Sequence, residues 1–300
     1  MHKTRFWCIE AAAASATPMR PVNAANQLSA ALRRLAFLLC AGTVLGLLQG
    51  CAALPGTGMA QRIDALLPAD IILIGEQHDA PDHQALQLSA VTELARRGSL
   101  AALAIEMAEQ GRSTWGLSPS ATESQVRDAL AWAEAGWSWT HYGPVLMAAV
   151  RAGVPVLGAN LPRSAMRSAM ATESWDQRLA PEALAQQRDD IRSGHCGLLP
   201  AGQIAPMARI QIARDAAMAE TLEARVQHGK SLLLIAGAGH VVRETGVPAH
   251  LPDGLEIRIV LQIAGTGAEP QRNLADQLWR TAAIPFKDHC AALQRTLAKP

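Results

Sequence analysis

Glutamate, histidine and asparagine recur at one kind of place in this sequence, immediately after a short apolar run. The run Asp70 to Gly75 (DIILIG) leads into Glu76-Gln77-His78-Asp79, with His83 four residues further on. Leu100 to Glu106 (LAALAIE) ends on a glutamate, Val154 to Ala159 precedes Asn160, and Ser231 to Ala236 (SLLLIA) precedes Gly237-Ala238-Gly239-His240. Carboxylates and imidazoles exchange protons and donate electron pairs, so bringing these ends together would build an acid–base or ligand-holding cluster. Each residue also has a plainer use: Glu76 or Glu106 can cap a following helix, and His78 or His240 can bond a loop carbonyl. Four run ends of the same kind favour convergence. The Gly237-Ala238-Gly239 triplet lacks the third glycine of a dinucleotide fingerprint and the Lys-Ser/Thr of a P-loop, which argues against a nucleotide site.

Convergence requires parallel strands, because in open parallel sheets the ligand crevice lies outside the carboxyl ends. The four runs are compact and apolar, as strands buried on both faces should be, and Leu255 to Gln262 reads as a fifth. Helical pattern fills the gaps. His83 to Arg97 stops at Gly98, Ser120 and Glu123 suggest a capping box, Pro144 suits the first residue of a helix closed by Gly153, and residues 163–228 are broken at Pro181 and at Gly194 to Pro200. The expected fold class is α/β, a mostly parallel central sheet with helices on both faces plus a smaller helical subdomain at about 163–228. The expected organisation is a signal peptide at 1–50, a lipid-anchored tether at 51–68, the α/β domain at 69–265 and a C-terminal helical extension at 266–300.

With 49% hydrophobic and 18% charged residues the chain is neither disordered nor fibrous, and a formal net charge of +1 offers nothing to attract nucleic acid. Its start is unlike the rest. Arg33 and Arg34 precede fourteen uncharged residues, Leu35 to Leu48, too few to span a bilayer as a helix, and then Gln49-Gly50-Cys51. That junction resembles the lipobox of bacterial lipoproteins, although Gln49 replaces the usual small residue; it implies acylation of Cys51, a lipid bilayer as partner and, with Ala52 next, the outer membrane. Met19 suits a true start. Beyond Cys51 only Cys196 and Cys290 remain, enough for one disulfide.

Seven blocks in order, LIGEQHDAPDH, AIEM, Trp139 with Tyr142-Gly143-Pro144, GANLPR, GHCGLLP, MARIQIARDAAMA and AGAGH, resemble the ChaN-like haem-binding lipoproteins of the Tiki, TraB and erythromycin esterase superfamily. The resemblance implies non-covalent haem, two haems face to face across a homodimer, and a role in iron acquisition. Tyr142, the chain's one tyrosine, falls in the family's Trp and Tyr block and becomes the expected iron ligand, at an exposed turn; His141 beside it, His78 and His240 are its rivals. Trp137, Trp139, Met107 and Met147 would furnish the apolar slot, and Arg163, Arg209 or Arg214 the cations for propionates. Some members of the wider superfamily are metal-dependent hydrolases. Glu76, His78, Glu106, Arg214 and His240 match their pattern, so the alternative is a divalent metal polarising a water, with Glu76 or Glu106 as base.

Overall fold

The computed structural model describes residues 58–266 and 274–297. The signal segment, Met19 and Cys51 lie outside the described residues. Among the described residues six strands form one sheet, all parallel, in the order β3-β2-β4-β1-β5-β6. They are β1 (Ile71–Glu76), β2 (Leu100–Glu109), β3 (Val156–Asn160), β4 (Ser231–Gly237), β5 (Ile257–Ala264) and β6 (Gln277–Thr281). The described helices are α1 (Met59–Asp64), α2 (Pro81–Arg96), α3 (Glu123–Leu130), α4 (Trp139–Arg151), α5 (Arg163–Ala171), α6 (Pro181–Gly194), α7 (Ala201–Glu223) and α8 (His289–Leu297).

All residues of β1 and β4 are buried, which is what a continuous apolar run means in a sheet covered on both faces. On one face Ile72, Ile74, Leu103 and Ile105 meet Val91 and Leu94 of α2 and Leu146 and Val150 of α4. On the other, Ile71, Leu73, Leu232 and Leu234 meet Met218, Ala219 and Leu222 of α7. Helix α7 therefore belongs partly to the sheet's cover and partly to the helical arm that it forms with α5 and α6.

Several boundaries differ from the sequence expectation. Thr122, not Ser120, caps α3: its side chain accepts from the Gln125 amide while Gln125 Oε1 accepts from Thr122 N at 2.8 Å. Pro144 lies inside α4, which begins five residues earlier at Trp139. The stretch read as a tether carries α1 from residue 59, and Ile63 and Leu66 are buried in the core. The C-terminal segment adds the edge strand β6 before its helix, and Cys290 of α8 is disulfide-bonded to Cys196 beyond α6.

Candidate functional site

β1 and β4 are adjacent, and Glu76 lies in register with Gly237 at their carboxyl ends. β2 borders β4 on the other side, and its pairing with β3 shifts register between Ile105 and Glu109. Glu106 keeps the regular alternation and shares the face of Ala102 and Ala104, towards α7. Glu76, Glu106 and His240 are thereby buried together at one end of the sheet, with His78 between the two glutamates. Neither glutamate caps a helix.

Glu76 is held chiefly by neutral donors. Its Oε2 accepts from Gln84 Nε2 at 2.7 Å and from Gln87 Nε2, and its Oε1 accepts from the Tyr142 hydroxyl at 2.5 Å. His78 Nδ1 stands 2.8 Å from the same Oε1, and Gln262 Oε1 braces Gln87 at 2.8 Å. Burial, then the Glu76 charge, push the Tyr142 phenol far above its ordinary range. It is a donor here, and at 4% exposure it sits in α4 rather than at an exposed turn. His78 is the accessible member, its side chain 38% exposed and its ring edge-on to Trp137 at 4.9 Å. Burial lowers its pKa, but the bond to Glu76 and the charges of Glu106 and Glu76 outweigh that and the net shift is upward.

Glu106 is held by charge. Its Oε2 accepts from Gly237 N at 2.8 Å and lies 3.7 Å from His78 Nε2, while Oε1 is 3.4 Å from His240 Nε2. On its other side His240 Nδ1 meets Asp215 Oδ1 at 2.5 Å. Burial disfavours the His240 imidazolium, yet Glu106 and Asp215 outweigh it and raise the pKa to about 10. Burial likewise raises Glu106, but His240, His78 and the Gly237 amide pull it down to about 2. Asp215, fully buried, is pushed up to about 6 by burial against the pull of His240. A Cβ at Gly237 would stand 2.9 Å from His78 Nε2 and push that ring aside. Acids and bases thus line up as Tyr142–Glu76–His78 and Glu106–His240–Asp215, two clusters facing each other across 3.7 Å between His78 and Glu106.

Beside Glu106 opens a cavity of about 370 Å³ walled by Met107, Leu130, Trp137, Leu161 and Met166, with Arg163 and Arg214 also in its lining. Two polar atoms of its lining residues, Asn160 Oδ1 and Arg214 Nε, are buried without a hydrogen-bond partner. Buried polar atoms are rarely left so, which marks a place for a ligand or water.

Other expected residues have different duties. Trp139 and Met147 are core, with Trp139 Nε1 donating to Glu123 at 2.8 Å. Arg209 is paired with Asp176 at 3.0 Å, His141 is exposed, and His83 Nδ1 accepts from Gln77 N at 3.0 Å. Among the described residues no group of three or more His, Cys, Asp or Glu is arranged to hold a metal ion. The sequence reading missed Gln84, Gln87, Gln262 and Asp215. A signal existed: Gln84 and Gln87 share the buried stripe of α2 with Val91 and Leu94, and Asp215 shares that of α7 with Ala208, Ile212, Ala219 and Leu222.

A doubly covered parallel sheet with acid–base residues at its carboxyl ends and a cation-lined apolar cavity beside them defines a small-molecule-binding α/β protein. The family described as "Haem-binding uptake, Tiki superfamily, ChaN" matches residues 62–251, and the chain belongs to it. Among solved structures, ChaN of Campylobacter jejuni, described as showing cofacial heme binding, is similar at 24% identity and a TM-score of 0.58, over 72% of this chain and 89% of that one. The type III effector HopBA1 is similar at 18% identity and a TM-score of 0.46, over 77% of this chain and 96% of that one. No curated protein matches by sequence.

Proposed function

We propose that this chain binds haem at the carboxyl end of its sheet, as a lipid-anchored outer-membrane protein of iron acquisition. The cavity beside Glu106 carries the reading. Its walls suit a flat apolar ring, and Arg163 and Arg214 are the cations that ionised propionates require. At about 370 Å³ it lies low in the range of ~300–1,000 Å³ of sites that enclose a ligand. It would therefore cover one part of a porphyrin and leave a face for a second haem across a homodimer, the cofacial arrangement named for the Campylobacter jejuni protein.

Tyr142 is the proposed iron donor, since a phenolate oxygen suits ferric haem and the chain has one tyrosine. The phenol donates to Glu76, and burial with that charge holds it protonated, so ferric iron would have to displace the proton to take the phenolate. Titration of the full chain with haemin, followed in the Soret region, should show saturable binding, weakened about tenfold or more in an Arg163→Ala/Arg214→Ala variant. Tyr142→Phe should abolish a high-spin ferric phenolate spectrum. If that spectrum survives in Tyr142→Phe and disappears in His78→Ala, the accessible imidazole is the ligand instead. No saturable haemin binding at all would remove the reading. Anchoring is separable from binding: Cys51→Ser should move the protein from the membrane to the soluble fraction.

A further inference from the structure

A second cavity, of about 450 Å³, lies along α7 on the far side of Leu161, which lines both. Its floor is the small-residue stripe Ala213, Ala216 and Ala217, and Trp175 and Leu161 supply its larger apolar walls. Two short 3-10 turns bring the remaining chemistry. Glu173–Arg178 contributes Trp175 and Arg178, and Val247–His250 contributes His250.

His250 is the anomaly. Both of its ring nitrogens are buried and neither has a hydrogen-bond partner. An imidazole always carries at least one donor or acceptor to be satisfied, and burying both unpaired costs stability that packing alone does not return. Burial and the neighbouring Arg178 charge push its pKa down to about 4, so at neutral pH it offers one N–H and one lone pair.

The charge of the cavity is polarised. Arg209 pairs with Asp176 at 3.0 Å, which pins the turn bearing Trp175 and Arg178 beside residue 209 of α7. The acids of the lining, Glu220 and Glu223, come about three to four helical turns later, ~17–21 Å along the axis at 1.5 Å per residue. Glu220 is moreover occupied by Gln110 Nε2 at 3.1 Å. The end with Arg178 and His250 is therefore cationic and unsatisfied.

We infer that this groove is a second binding site, for a small carboxylate with a flat apolar body: the carboxylate takes the exposed Arg178, the His250 ring walls that end of the groove, and the body lies against Trp175 and Leu161. The site does not depend on haem binding in the first cavity.

The test is a titration of the full chain, with ¹⁵N-labelled histidine, against phenylacetate, with benzylamine as the probe of opposite charge. Phenylacetate should move the His250 ring resonances saturably, and benzylamine should not. Arg178→Ala, an exposed position whose loss leaves the fold intact, should weaken phenylacetate at least about tenfold. Trp175 fluorescence should respond to phenylacetate with the same midpoint. Absence of a saturable shift at His250, an equal response to benzylamine, or unchanged affinity in Arg178→Ala would each overturn the assignment.

Discussion

The two glutamates of the crevice stand two strands apart, and they are held in opposite ways. Glu76 sits among two glutamine amides and a phenol, with a partly exposed histidine as its remaining partner. Glu106 faces a buried imidazolium that is itself clamped by a second buried acid. Neutralising a carboxylate held by neutral donors strands only amides and a hydroxyl. Neutralising one held by a buried cation strands a charge in low dielectric. The Glu76 half is thus the adaptable end of the crevice, open to solvent through His78, and the Glu106 half is its fixed end.

Substitution of each glutamate by glutamine breaks the comparison most severely. Glu106→Gln leaves His240 with a single counter-charge, and loss of one partner of a buried ion pair costs ~3–5 kcal/mol. Glu76→Gln leaves only neutral donors poorly matched, a cost of ~1–3 kcal/mol. Urea unfolding should therefore show a clearly larger fall in midpoint for Glu106→Gln. Equal falls would mean that His240 is not charged in the folded protein.

The pH dependence of stability sharpens the same point. His240 has a folded pKa of about 10, raised above 6.5, so its stabilisation is complete below the unfolded value and is lost as pH rises through about 10. Glu106 is depressed from 4.5 to about 2, so its contribution is present above 4.5 and lost as pH falls through about 2. Asp215, raised from 3.8 to about 6, works against these as it ionises in that window. Thermal melts across pH should show wild type losing stability between pH 7 and 10, and His240→Gln should lack that loss.

The strands that place these groups were legible because runs such as Ile71 to Ile74 are buried on both faces and so contain no polar interruption. β6 was not: Gln277, Arg280 and Thr281 surround Trp279 on an edge strand, where only alternate residues need be apolar and Trp279 alone is fully buried. The crevice glutamates and histidines were visible at the strand ends, whereas Asp215, Gln84 and Gln87 come from mid-helix, where only their intrusion into an apolar stripe betrays them. The burial of Tyr142 was hidden by Pro144, which looks like a helix start. The helix begins earlier, at Trp139, and Gly143 leaves room for the Trp139 ring, which a Cβ at 143 would approach to 2.6 Å. That extra turn swings Tyr142 inward to Glu76.

The smallest effect probes the adaptable end directly. Tyr142→Phe deletes one hydrogen bond to the Glu76 carboxylate while keeping the ring against Trp132 and Trp137; because His78 still serves that oxygen, stability should fall by only ~1.5 kcal/mol, the low end for a bond to a charged group. The consequence for His78 is more telling. Tyr142 and His78 both use Glu76 Oε1, at 2.5 and 2.8 Å, so removing the phenol leaves that oxygen to the imidazole alone. His78 is already raised above 6.5 by that bond and the nearby acids, and the variant should raise it further. An NMR titration of the His78 ring in wild type and Tyr142→Phe reads this shift. An unchanged or lowered His78 pKa would mean that the two groups do not share the Glu76 oxygen.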